Sequence, residues 1–259
     1  GDRELLEGMQ IGTVDMALVS NAPIGAFAPA FMALDLPFIF PSAECAHQVL
    51  DGPVGRAILD TLEPIGIKGL AFTEAGFMQM LNNVRSIEKP EDVAGIKFRV
   101  MQTPIYIGLF KSLGSNAIPM PWGEVYTAIQ QGVMDGLTIP IGSIYNCGYG
   151  EIVKHLSLTT NNYNAPSLQV SLSVWDTFSQ EEQQILLDSA LDAANFGRNR
   201  AKEIEAELII KLEEQGMEIV KSIDKAPFQK AVRPLYEEFR SKIGSDILDS
   251  LLEETAKCK

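Results

Sequence analysis

Apolar positions near the start of the chain follow a helical period. Leu5 and Met9, with Ile11 just beyond, fall on one face of a helix over residues 4–10 that Gly12 closes. The next run, 13–20, alternates instead: Val14, Met16 and Leu18 on one side, Ala17 and Val19 on the other. Apolar residues on both sides predict a strand of a parallel sheet covered by helices. A helix over 43–62, entered by Ser42, and a strand over 67–74 come next. Helix, strand, helix, strand is the order of an α/β fold.

A second unit of the same kind occupies 77–164. Ile96, Phe98 and Val100 alternate with Lys97 and Arg99, predicting a strand over 96–101 whose exposed face carries two cations. Helices are expected over 104–113 and 124–133, the latter with Val125, Ile129 and Val133 in one row, and a short strand over 117–119 lies between them. An apolar segment, 137–141, follows Asp135-Gly136, and Gly148-Tyr149-Gly150 reads as a turn. After a strand over 168–173, Ser179 and Glu182 form a capping box. The helix it opens meets few breakers until Gly216, a length of ~55 Å at 1.5 Å per residue. That is more than one small domain is wide, and no sustained heptad suggests a coiled coil. The helix is therefore expected to span two lobes. A helix over 228–243 and a short one capped by Ser245 complete the pattern.

Composition narrows the function. With 259 residues, 46% of them hydrophobic, the chain is large enough for two lobes. A formal charge of -13 argues against nucleic acid and anionic membrane surfaces, which demand basic patches, and suits a monomer. The longest apolar candidate for a membrane span, 27–40, is interrupted by Asp35, Pro29 and Pro37. Three widely spaced cysteines suggest no disulfide framework: Cys45 and Cys147 read as small buried residues, Cys258 as part of a frayed tail. His47 and His155 stand apart from any nucleophile or orienting carboxylate, and no catalytic, nucleotide or metal motif is present. No enzyme, cofactor or metal is expected. The remaining candidate is Arg99, near the carboxyl end of its strand, where open α/β sheets collect ligands and a guanidinium can hold a carboxylate by two parallel hydrogen bonds.

Four segments carry a resemblance: Leu34-Asp35-Leu36-Pro37-Phe38; Pro90-Glu91-Asp92-Val93-Ala94-Gly95-Ile96-Lys97-Phe98-Arg99-Val100; Pro119-Met120-Pro121-Trp122-Gly123-Glu124-Val125-Tyr126; and Ala128-Ile129-Gln130-Gln131-Gly132-Val133-Met134-Asp135-Gly136. Together they resemble the solute-binding proteins of TRAP transporters, the tripartite ATP-independent periplasmic carriers, across essentially the whole chain. The resemblance implies a two-lobed, periplasmic-binding-protein-like α/β fold with a long helix spanning both lobes. Residues 1–76 plus 165–204 would form lobe I and 77–164 plus 205–259 lobe II, with a first strand and helix expected ahead of Gly1. It implies a periplasmic protein that closes about a hinge on a small organic carboxylate and docks on membrane carrier subunits.

Residue by residue, Arg99 matches the arginine that pairs with the substrate carboxylate and Trp122 the aromatic that flanks the ligand. Met78 and Ile139 stand where many members have an arginine and an asparagine, and Val19 and Ala22 lie near charged positions of sialic-acid binders. Leu137, Gln102, Ser20, Asn21 and Tyr163 complete the expected site. Apolar residues at Met78, Leu137 and Ile139 make poor partners for hydroxyls, so a monocarboxylate with an apolar or aromatic tail is expected. A sugar acid, or a ligand-sensing module of a signalling system, is the alternative.

Overall fold

The chain passes from one sheet to a second and back again. In the computed structural model, which describes residues 1–258, α1 (Asp2–Gln10) leads into β1 (Met16–Val19) and α2 (Asn21–Ile24). A 3-10 segment (Pro29–Asp35), α3 (Ala43–Leu50) and α4 (Pro53–Asp60) precede β2 (Ile67–Phe72). The chain then enters the second sheet with β3 (Gly76–Asn82), β4 (Lys97–Val100), α5 (Pro104–Ser112), β5 (Asn116–Pro119), α6 (Trp122–Gln130) and β6 (Gly136–Pro140). α7 (Ile141–Asn146), β7 (His155–Ser157) and β8 (Tyr163–Asn164) follow, and β9 (Ser167–Ser171) returns to the first sheet. Last come α8 (Leu172–Trp175), α9 (Gln180–Glu214), β10 (Glu218–Val220), α10 (Ala226–Val232), α11 (Pro234–Ile243) and α12 (Ser245–Lys257).

The first sheet has the order β1-β9-β2, with β9 antiparallel to both neighbours, so Val19, Ser167 and Phe72 end in one row. The second has the order β10-β7-β3-β6-β4-β5. There β4 runs parallel to β5 and β6 while β3 is antiparallel to β6. The two-lobed α/β architecture is thus as expected, but the first sheet is antiparallel rather than parallel. Its β1 is also not buried on both sides: Ala17 and Val19 face the core while Met16 is 43% and Leu18 51% exposed.

Two predicted helices are each two helices. The break within 43–62 falls at Gly52-Pro53, where the proline takes the first turn of α4 and its missing N–H costs nothing. Pro234 likewise separates α10 from α11. Contrary to the expectation of no disulfide framework, Cys45 and Cys258 form a disulfide with Cα atoms 5.6 Å apart. Cys147 is exposed rather than buried. The bond holds the end of α12 against α3, and α12 packs on both α3 and α4. The last helix, expected to group with 77–164, therefore packs on α3 and α4 of the stretch 1–76.

The capping box forms as the sequence predicts: Ser179 Oγ accepts from the Glu182 N–H, and Glu182 Oε2 accepts from the Ser179 N–H at 2.8 Å. α9 then runs for 35 residues, packing on β2 near its first half and on α7 near its second. It spans both sheets. One apolar core runs from α1, α3 and α4 to one face of the second sheet, with Met80, Phe98 and Val100; a separate core of Leu81, Leu137, Leu156 and Val125 fills the other face.

Candidate functional site

The carboxyl ends of β4, β5 and β6, with the start of β3, make one edge of the second sheet, and the ends of β1 and β2 make the matching edge of the first. Ligands of open α/β folds collect beyond such edges. Arg99 lies in register with Ile118 of β5 and Leu137 of β6, so it shares their face. The expectation of an exposed Arg99 fails because α6 and α7 cover that face; the side chain is 4% exposed.

The run Pro119-Met120-Pro121 explains how Arg99 is held. A residue before proline is driven to extended backbone, and Pro121 is the extended N-cap of α6. The Met120 carbonyl accepts from Arg99 Nε at 3.0 Å and from Nη2 at 2.7 Å. Nη1 is buried and has no partner among the described residues. One edge of the guanidinium is thus fixed by the chain, leaving Nη1 with its two N–H donors for an anion. Burial lowers the Arg99 pKa to about 10, countered by Tyr149, Tyr106 and Asp2, so the group is cationic at neutral pH. A buried charge with a free donor is costly unless an opposite charge meets it.

Trp122 opens α6 and stays 46% exposed, with the Arg99 guanidinium 5.7 Å from its ring centroid. Beyond it the Tyr149 ring lies 5.8 Å from Trp122 and 5.5 Å from Tyr126. Leu137 is fully buried beside Arg99; Ile139, 2% exposed, sits two residues on along the same face, opposite Gln79. Gln79 Oε1 accepts from the Thr160 N–H at 2.8 Å.

The other expected residues lie elsewhere. Met78 pairs with Pro140 and belongs to the opposite face, fully buried. Gln102 is exposed just past β4. Ser20 is half-buried at the N-cap of α2. Asn21 donates to Asp35 Oδ1 at 2.9 Å and accepts from the Ala165 N–H, which commits its amide to the crossover between sheets. Tyr163 is packed among Phe77, Phe40 and His47, with ring centroids 5.1, 5.7 and 6.2 Å away, and burial raises its pKa. His47 Nε2 and Glu74 Oε2 are 2.7 Å apart in the same crossover. The structure therefore brings Arg99, Trp122, Leu137 and Ile139 together, and separates Met78, Asn21 and Tyr163 from them.

Two neighbours of Arg99 escaped the sequence reading. Asp2, in the first turn of α1, has a carboxyl pKa raised by burial, and its negative charge favours the cationic form of Arg99. No sequence pattern distinguishes it from an ordinary first-turn acid. Tyr149 lay in the segment read as a turn; its flanking glycines were the only signal. Among the described residues no group of three or more acidic, cysteine or histidine side chains is arranged to hold a metal, and no helix is long and apolar enough to cross a membrane.

Comparison with known proteins agrees with this arrangement. A solute-binding protein of Verminephrobacter eiseniae is 34% identical over 250 residues, covering 96% of this chain and 75% of the relative. The crystal structure of a TRAP periplasmic solute-binding protein from a Polaromonas species, bound to D-erythronate, superposes with a TM-score of 0.94 at 36% identity, covering 97% of this chain and 83% of that one. The sugar-acid-binding protein of Advenella mimigardefordensis in complex with galactonate gives 0.95 at 32% identity, covering 100% and 84%. The profile of the DctP family, bacterial extracellular solute-binding protein family 7, matches residues 1–242. The chain belongs to that family, the solute-binding proteins of TRAP transporters.

Proposed function

We propose that this protein captures a hydroxylated monocarboxylate of the sugar-acid class between its two lobes and returns it chemically unchanged to membrane carrier subunits. The observation that carries the reading is Arg99, buried, held by the Met120 carbonyl along one edge and unpaired at Nη1. A carboxylate there gains charge-assisted hydrogen bonds that a neutral polyol does not. Across the cleft, Asp2 and Ser20 supply acceptors suited to hydroxyls. The sugar acids bound by the Polaromonas and Advenella proteins support this class.

Leu137 and Ile139 favour a second reading, a monocarboxylate with an apolar or aromatic tail, because both line the Arg99 face without a polar group. In either case ligand closes the lobes because it binds the closed form better. The moving bodies are residues 1–76 plus 165–204, with α12 attached, against the rest of the chain; the crossovers Thr73–Ala75 and 165–166 act with α9 as the hinge. The protein works as a monomer in the periplasm, an oxidising compartment that suits the Cys45–Cys258 disulfide.

A thermal-shift screen of sugar acids beside apolar and aromatic monocarboxylates tests the class. A ligand at a hundred times its Kd adds about 2.7 kcal/mol, or roughly 5–10 °C for a protein of this size. Stabilisation by D-erythronate or D-galactonate, absent in Arg99→Ala, is expected. Stabilisation by aromatic acids alone would establish the second reading, and a response indifferent to Arg99→Ala would place the site elsewhere.

A further inference from the structure

The Gly148-Tyr149-Gly150 turn makes more of the cleft than a turn needs. Gly148 adopts φ +73°, a left-handed backbone that side chains rarely enter. At Gly150 a Cβ would come within 2.9 Å of Leu212 Cδ2 on α9 and would have to displace the Gln215 side chain at the C-cap of that helix. The long helix therefore sits directly on the turn and fixes where Tyr149 stands. Its ring is held between Trp122 and Tyr126 and the residue is 1% exposed, yet no hydrogen bond among the described residues uses its hydroxyl. Arg99 and Tyr149 share the Trp122 ring, the guanidinium 5.7 Å and the phenol ring 5.8 Å from its centroid.

We infer that Tyr149 is a second ligand-contacting residue, whose hydroxyl donates to the acid end of the ligand beside the free Nη1 of Arg99. A phenol supplies one donor at a fixed distance from its ring, so together with the guanidinium it favours a planar carboxylate over a hydroxymethyl or amide group. The same turn rests on α9, so movement of the helix during closure carries Tyr149 with it. The inference rests on the carboxylate reading of Arg99.

Isothermal titration of the full chain with sodium D-erythronate and sodium D-galactonate tests it, using wild type, Tyr149→Phe, Tyr149→Ala and Arg99→Ala. Tyr149→Phe keeps the ring against Trp122 and Tyr126 and removes only the hydroxyl. A weakening of about tenfold to a hundredfold, the range for a hydrogen bond to a charged group, with an unchanged near-ultraviolet dichroism spectrum, is the expected result. Wild-type affinity in Tyr149→Phe together with loss in Arg99→Ala overturns this inference alone and leaves Tyr149 a packing residue, whatever Tyr149→Ala does. Wild-type affinity in Arg99→Ala, or binding of neither acid by the wild type, overturns the carboxylate reading and this inference with it.

Discussion

Arg198, midway along α9, forks onto Asp51 at the C-cap of α3: Nη1 and Nη2 lie 2.6 and 2.8 Å from its two carboxylate oxygens. Nη2 also donates to the Phe72 carbonyl at 2.9 Å, where β2 leaves the first sheet. The Arg198 side chain is 5% and the Asp51 side chain 34% exposed, so the pair is only partly desolvated. Arg198→Ala strands both acceptors and is expected to cost about 2–4 kcal/mol, read as a lower urea midpoint with an unchanged slope. A loss below about 0.5 kcal/mol would make the pair an ordinary surface contact.

The Cys45–Cys258 disulfide joins residues 213 apart in sequence. Closing so long a loop restricts the unfolded chain, a stabilisation of about 2–5 kcal/mol. Cys45→Ala with Cys258→Ala should lower the melting temperature by roughly 5–15 °C, and dithiothreitol should bring wild type to the same value. A wild-type melting temperature insensitive to reductant contradicts the bond.

Asp35 is 1% exposed; Oδ1 accepts from Asn21 while Oδ2 has no partner among the described residues. Burial holds its pKa well above the usual carboxylate value. The folded state keeps a proton that the unfolded chain has released, so this stability is fully present below the unfolded pKa and falls as pH rises towards the folded one. The slope is at most about 1.4 kcal/mol per pH unit. Asp35→Asn should flatten the decline, becoming the more stable protein as pH rises in denaturant titrations. Parallel pH profiles for the two would contradict a protonated Asp35.

Trp122 stands against the guanidinium and reaches solvent, so its fluorescence should change on ligand binding. Trp122→Ala should weaken binding about tenfold, in keeping with a lost cation–π contact and lost apolar cover; Trp122→Phe should retain most of it. Equal affinities in Trp122→Ala and wild type would place the ligand away from this wall.

Much of the fold was legible because it is local. Period fixed the alternation of helices and strands, and Ser179 with Glu182 marked the start of α9. Pro53 and Pro234 are equally legible breaks, masked by apolar rows that continue across them. What sequence hid was tertiary. Alternation in 96–101 shows that Lys97 and Arg99 share a face, but not that later helices would cover Arg99. Nor does it show that Met16 and Leu18 would stay exposed. Cys45 and Cys258 meet only once α12 folds back onto α3. In the site, Arg99 came from strand position and the family resemblance, and Trp122 from the resemblance. Met78 falls on the opposite face because it pairs with Pro140, one residue out of phase with Leu137 and Ile139, a register that no single strand reveals.

The most direct measurement is a crystal structure of the protein with D-galactonate or D-erythronate. The account places the ligand carboxylate within hydrogen-bond distance of Arg99 Nη1, about 2.7–2.9 Å, with Met120 still holding the other edge and Trp122 over the ligand. An acid group bound away from Arg99, with Nη1 still without a partner, would contradict it.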